Sequence, residues 1–208
     1  MEIKMKMPQE PKAKVMLWTD INYHEMEKLN KIQSIPALQT ALSEVLRIDH
    51  SGPKQGILLN LYVQTMLYCR EMHFKPVQTS TLLSIIISIH KVNVETVFNN
   101  IANCHTYCKE LLLCHSVRRP PCSIDLYKLE EVTSIYEYIY NSYMRHYRLY
   151  KSVFTPQIKL DLSVTYLDTL DQNVAATSES NDETQDLCLS PTKSEDGLQG
   201  KCLFHTSN

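Results

Sequence analysis

The stretch that decides the fold is residues 76–89, PVQTSTLLSIIISI. The proline at its start favours the first turn of a helix, where the missing amide hydrogen costs little. The leucines and isoleucines that follow make the segment apolar on nearly every side, as expected of a helix at the centre of a bundle. We therefore predict that this helix is the most buried element and that the other helices pack around it. Its apolar positions are Leu82, Leu83, Ile85, Ile86, Ile87 and Ile89.

Apolar residues at helical spacing also predict three helices before the central one. The first follows a cap at Thr19 or Asp20. The second covers residues 35–48 and the third covers residues 55–75. A cluster of Ser, Gly and Pro within residues 49–54 predicts the turn between them.

Two helices are predicted after the central one. Asn93 is expected to cap the fifth helix, which ends before the RRPP motif at 118–121. Ser123 is expected to cap a sixth helix that reaches about residue 154 and holds seven of the twelve tyrosines. The sequence thus predicts an all-α fold, a single orthogonal bundle of about six helices within a helical domain at 15–167.

The two ends of the chain differ from this domain. Residues 1–14 are rich in Lys, Gln, Glu and Pro and predict a flexible N-terminus. Residues 168–208 predict a disordered acidic tail, in which eight carboxylates and two lysines give a net charge of -6. Since the net charge of the whole chain is -2, residues 1–167 carry a net charge of +4. That charge is too small to predict a nucleic-acid partner.

A short extended segment joins the domain to the tail. Residues 158–166 alternate apolar and polar side chains, with Ile158, Leu160 and Leu162 on one side. Such a segment needs a partner strand. It is predicted to pair with residues 15–18 or, alternatively, to add a strand to a partner's sheet.

Glycine is absent between Gly56 and Gly197. Loops that cradle phosphates, dinucleotide-binding motifs and nucleophile elbows all need glycine where the backbone turns sharply. We therefore expect no small-molecule substrate and no enzymatic activity. A zinc-dependent enzyme is an alternative raised by Cys104 and Cys108, but a second pair of ligands at zinc-site spacing is missing from the sequence.

Cysteine content and apolar runs bear on where the protein resides. The seven cysteines are an odd number, and the chain has no Asn-x-Ser/Thr acceptor for glycosylation. Both observations favour a reducing compartment such as the cytoplasm. The longest apolar run is far shorter than the roughly 20 residues of a membrane-spanning helix, so no membrane partner is expected.

Tyrosines and basic residues alternate near the end of the sixth helix. Tyrosine and arginine commonly anchor protein interfaces, so this pattern favours a protein partner. An equally open alternative is that the tyrosines line the core and the charges form a solvated rim. The candidate partner-binding residues are Tyr138, Arg145, Tyr147 and Arg148, together with Ile158, Leu160 and Leu162.

A carboxylate cluster in the predicted tail bears on calcium. Asp182, Glu183 and Asp186 could attract this ion weakly, as an acidic coil does. The cluster lacks the glycine bend and the closing glutamate of a helix-flanked calcium loop. The residues themselves therefore predict no preformed calcium site.

Two blocks of sequence resemble a family of motile-cilium proteins, the ciliary calcium-binding coiled-coil proteins and flagellar central-pair projection subunits. They are LLNLY at 58–62 and FKPVQTSTLLSI at 74–85, followed by His90. The resemblance covers roughly residues 15–150. It implies a non-enzymatic protein of the cytoskeleton, in the cilium or flagellum and the centrosome, with axonemal or centrosomal partners.

The same resemblance implies calcium as a cofactor and a contribution to the control of sperm flagellar movement. It assigns no calcium ligand to any residue of this chain. The alternative interpretation of the sequence is a general cytosolic helical adaptor.

Overall fold

A computed structural model describes residues 10–48, 52–156, 158–162 and 202–206. The chain divides into two compact units, Met1–Pro156 and Gln157–Asn208. The first unit is helical, which confirms the predicted all-α class. Its helices are α1 (Tyr23–Lys31), α2 (Ile35–Val45), α3 (Pro53–Glu71), α4 (Pro76–Val94), α5 (Ile101–Cys114), α6 (Leu129–Ser142), a short 3-10 helix (Met144–His146) and α7 (Tyr147–Phe154).

Helix α4 is the centre of the first unit, as predicted. Thirteen of its 19 residues are buried, and it contacts α1, α3, α5 and α7. All six predicted apolar positions are buried, and each such side chain contributes roughly 1.5–3 kcal/mol when removed from water. Some polar residues on α4 form hydrogen bonds to other elements in the interior. For example, Ser80 Oγ donates to the carbonyl oxygen of Ile21 at 2.8 Å.

The ends of α1 are held by side chains. At its start, Glu25 N donates to Asn22 Oδ1 at 2.9 Å, and Asn22 N donates to Glu25 Oε2 at 3.0 Å. This reciprocal capping box shows that the cap is Asn22, not Thr19 or Asp20 as predicted. At its other end, the Arg70 guanidinium of α3 donates to the last carbonyl groups.

The predicted boundary between the fourth and fifth helices is wrong. Asn93 does not cap a helix, because it lies inside α4 with its side chain fully buried. Its Nδ2 donates to the hydroxyl of Tyr143 at 2.9 Å, so the amide serves a tertiary contact. The next helix, α5, begins only at Ile101, after a loop at 95–100.

The predicted sixth helix is also corrected at both ends. Ser123 lies in a loop, where its Oγ accepts a hydrogen bond of 3.0 Å from Arg119 N, and α6 starts at Leu129. The helix then stops after Ser142, where the 3-10 helix and α7 take over. The long tyrosine-rich segment is therefore two α-helices joined by a short 3-10 helix.

The N-terminal segment before α1 is fixed to α5. Met16 N donates to His115 Nε2 at 2.8 Å, and Nδ1 of the same ring donates to the carbonyl oxygen of Leu111 at 2.7 Å. Trp18 has a φ of 49°, a left-handed conformation that a strand does not adopt. The predicted strand pairing of residues 15–18 is therefore wrong.

The second unit contains two antiparallel strands, β1 (Ile158–Leu162) and β2 (Cys202–Thr206). Ile158 pairs with Thr206 and Leu162 pairs with Cys202. The extended segment predicted at 158–166 is thus a strand at its start, and its partner is β2 of the same chain. β2 lies within the predicted tail, 168–208, of which the other residues are outside those described.

Most of the predicted N-terminus also lies outside the described residues, and the domain bounds of the sequence analysis stay a prediction. Among the described residues, no helix is both long enough and apolar enough to cross a membrane.

Candidate interaction surface

The ammonium group of Lys151 is buried where α7 meets the end of α4. Its Nζ donates to the carbonyl oxygens of Asn93 and Thr96 at 2.7 and 2.6 Å, and to Asn100 Oδ1 at 2.9 Å. These acceptors use all three ammonium hydrogens, and the two carbonyl oxygens lie at the negative end of α4. Burial lowers the pKa of Lys151. The lysine therefore joins α7 to the loop at 95–100 without a carboxylate partner among these contacts.

Tyr147 makes a second link between α7 and the same loop. Its hydroxyl donates to Asn100 Oδ1 at 2.6 Å and accepts from Asn100 N at 2.8 Å. Its ring centroid lies 5.4 Å from Lys151 Nζ, within the range of a cation–π contact. Tyr147 is 4% exposed. This corrects its predicted surface position, because both its hydroxyl and its ring are used inside the fold.

Tyr143 anchors the segment between α6 and α7 in the interior. Its hydroxyl accepts from Asn93 Nδ2 at 2.9 Å and lies 2.9 Å from His90 Nδ1. Burial lowers the pKa of His90 to about 4, so its ring is neutral at pH 7. A neutral ring can accept the tyrosine hydrogen at Nδ1, so the Tyr143 hydroxyl can donate to His90 while it accepts from Asn93. This polar network could not be predicted, because nothing in the spacing of the sequence marks Asn93 or Lys151 as buried.

Tyr138 is a residue of α6 that packs against α3. Its ring is stacked on Tyr68, with centroids 4.1 Å apart and an interplanar angle of 9°. Its hydroxyl lies 3.1 Å from Thr65 Oγ1, and burial raises the pKa of Tyr138. The side chain is half-buried, so only part of it is available to a partner.

Arg145 and Arg148 occupy the surface next to this network. Both are exposed, as is His146 between them. They border a groove of about 260 Å³ that lies between residues 144–149 on one side and Asn99 and Ile101 on the other. We call this feature the basic groove. None of its lining residues is Asp or Glu.

The remaining predicted site residues belong to the second unit. Ile158, Leu160 and Leu162 lie on β1, for which the structure gives the strand register. Asp182, Glu183 and Asp186 lie outside the described residues. Partner binding by the first three and calcium binding by the others stay predictions.

The described residues also bear on metal chemistry. Across 10–48, 52–156, 158–162 and 202–206, no three His, Cys, Asp or Glu side chains converge into a group that could hold a metal ion. Cys104 and Cys108 are fully buried, and burial raises their pKa values to about 11 and about 12. Their sulfurs are therefore protonated thiols at pH 7 and fill space in the core.

Part of the chain, including this surface, matches a known protein family. Residues 64–162 match the model of the CLAMP family, described as flagellar C1a complex subunit C1a-32. The matched region runs from within α3 to the end of β1 and includes the whole basic groove. Over these residues, the chain is similar to a family of flagellar central-pair projection proteins, which supports the resemblance found in the sequence.

Proposed function

We propose that this protein is a non-enzymatic subunit of a flagellar axonemal complex and that it acts by binding neighbouring axonemal proteins. The match of residues 64–162 to a family described as a subunit of the flagellar C1a complex carries the proposal. The matched residues contain the central helix α4 and the basic groove. The proposal therefore concerns the helical unit, in which the buried helix α4 and its neighbours position the exposed residues of the basic groove.

The chemistry of the described residues supports a binding role. The buried cysteines are protonated, and the buried His90 is neutral and engaged by Tyr143. These groups are used to build the interior. What the helical unit presents to a partner is a surface with exposed arginines and apolar side chains.

Localisation of a tagged full-length chain in cells with motile cilia tests the proposal. We expect enrichment along the axoneme that survives detergent extraction of the membrane. In cilia that lack the central pair, this retention should be lost. Diffuse cytosolic signal would contradict the proposal and favour the general helical adaptor. A signal at the basal body would support the centrosomal partners that the resemblance implies.

Calcium binding is a finer part of the proposal. It is supported by the sequence resemblance, while the described residues offer no convergent ligand group. We therefore assign weak calcium binding to the cluster of Asp182, Glu183 and Asp186, which an acidic segment can provide without a rigid cage. Control of sperm flagellar movement by calcium would then act through this segment.

Titration calorimetry with calcium on the full-length chain tests this assignment. We expect heat of binding that is lost in the D182N/E183Q/D186N variant. The matched control, D168N/D171N/E179Q, removes the same number of carboxylates from the same part of the sequence and should retain it. Equal losses in both variants would indicate diffuse attraction, and no heat with the unmodified chain would reject calcium binding.

A further inference from the structure

The basic groove has a rigid floor. Tyr147 and Lys151 hold α7 to the end of α4 and the loop at 95–100 through five hydrogen bonds, three with Asn100 and one each with the carbonyl oxygens of Asn93 and Thr96. Tyr143, just before the 3-10 helix, is fixed by Asn93. The backbone that carries Arg145 and Arg148 is thus held from both sides. The protein surface therefore loses little conformational entropy when a partner binds there.

Within the part of the chain that the structure describes, no carboxylate pairs with the positive charge at the groove. Neither Arg145 nor Arg148 takes part in an ion pair with a described residue, and no carboxylate lines the groove. The buried ammonium of Lys151 binds Asn100, which lies in sequence between the lining residues Asn99 and Ile101. Ile101 begins α5, whose N-terminal end carries a partial positive charge. Arginine binds carboxylates with two parallel hydrogen bonds. The ligand that matches this surface is therefore anionic.

The groove is also partly apolar. Leu149 is 64% exposed at its rim, and Ile101 and Met144 line it. A volume of about 260 Å³ lies at the small end of ligand-binding pockets and suits one or two side chains. A matching ligand therefore combines carboxylates with an apolar side chain.

We propose that the basic groove binds an acidic peptide segment of a protein partner, with carboxylates at Arg145 and Arg148 and an apolar side chain against Leu149. This inference deepens the proposed function by naming the chemistry of the partner. A peptide fits better than a nucleic acid, because two arginines provide too few contacts for a phosphate backbone and the whole chain carries a net charge of -2.

Fluorescence anisotropy on the full-length protein tests the proposal, with a labelled peptide of Glu-Glu-Leu repeats as the probe. We expect saturable binding that weakens at least about tenfold in R145E/R148E, since two attractive contacts become repulsive. L149A should weaken binding about fivefold without changing the charge. Thermal unfolding checks that each variant is folded.

The matched control is R118E/R119E, which makes the same charge change at two exposed arginines in the loop between α5 and α6. It should bind the peptide as the unmodified chain does. Equal weakening by both double variants, or no binding by the unmodified chain, would overturn the proposal. Tighter binding of a labelled oligothymidine that is lost in R145E/R148E would instead assign the groove to nucleic acid.

The two proposals can fail separately. Axonemal retention without peptide binding would reject the acidic-peptide inference and leave the flagellar role intact. Peptide binding by a chain that stays diffuse in ciliated cells would reject the flagellar role and leave the groove's chemistry intact.

Discussion

Lys151 Nζ donates a hydrogen bond of 2.6 Å to the carbonyl oxygen of Thr96, two residues beyond the end of α4. A lysine so deeply buried usually needs a carboxylate partner. Here the carbonyl oxygens at a helix C-terminus and the Asn100 amide take that role, since they carry partial negative charge and satisfy every ammonium hydrogen. The stability of α7 and the shape of the basic groove depend on this arrangement.

Replacing Lys151 with methionine should therefore destabilise the fold despite the gain in hydrophobicity. The variant removes the ammonium donor from the buried carbonyl oxygens of Asn93 and Thr96, while Asn100 Oδ1 keeps only its hydrogen bond from the Tyr147 hydroxyl. We expect the free energy of unfolding to fall by about 2–4 kcal/mol, measured by urea denaturation. The exposed Lys28 provides a control, because K28M should change the same quantity by less than about 0.5 kcal/mol. Equal stability of K151M and the unmodified chain would contradict this account.

The hydroxyl group of Tyr147 provides a second test of the contact between α7 and the loop at 95–100. The Y147F variant keeps the buried ring and loses the two hydrogen bonds with Asn100. We expect a loss of about 1–3 kcal/mol in the free energy of unfolding, because Asn100 N is left without an acceptor. Y140F removes a hydroxyl from a tyrosine that is 48% exposed and should have little effect. A Y147F chain as stable as Y140F would show that these bonds contribute nothing.

The central helix could be predicted from the sequence because its signal is local and strong. Residues 76–89 combine a proline start with apolar residues on all sides, and only a buried helix explains both. The neighbouring boundaries were mispredicted because they depend on distant contacts. Asn93 continues α4 since its amide reaches Tyr143, 50 residues later, which no local rule anticipates.

The candidate surface could be predicted only in part for the same reason. Arg145 and Arg148 were identified because interleaved arginine and tyrosine suggest an interface, and the structure exposes both. Tyr147 was named a candidate for partner binding because it alternates with the arginines, although its helical spacing from Tyr143 was equally consistent with the core. The burial of Lys151 was missed because lysine side chains are usually solvated, and its three acceptors come from sequence positions 51 to 58 residues away.

The cysteines should differ sharply in their reactivity toward iodoacetamide. Cys122 is exposed, whereas Cys69, Cys104 and Cys108 are buried and have pKa values raised by burial to about 12, 11 and 12. Since the thiolate is the reactive form, these three should be alkylated only when the protein unfolds. Peptide mass spectrometry at pH 8, with and without urea, measures each site. Native alkylation of Cys104 at the rate of Cys122 would contradict the described core.

The buried histidines predict a loss of stability in acid. Burial lowers the pKa of His90 to about 4 and also lowers the pKa of His115, while an unfolded histidine titrates near 6.5. Above pH 6.5 both states are neutral and the histidines contribute no pH dependence. As the pH falls below 6.5, the unfolded chain binds protons first, so the free energy of unfolding decreases toward pH 4. For His90 the full decrease is roughly 3 kcal/mol.

Urea denaturation at a series of pH values between 4 and 7.5 measures this decrease. H90Q removes the titrating group and should flatten the profile below pH 6.5, even where the substitution lowers stability at every pH. H24Q changes an exposed histidine and should leave the shape of the profile as it is in the unmodified chain. His115 adds a structural signature, because a protonated ring would turn Nε2 into a donor facing Met16 N. Parallel profiles for H90Q and the unmodified chain would show that His90 is not held neutral by its burial.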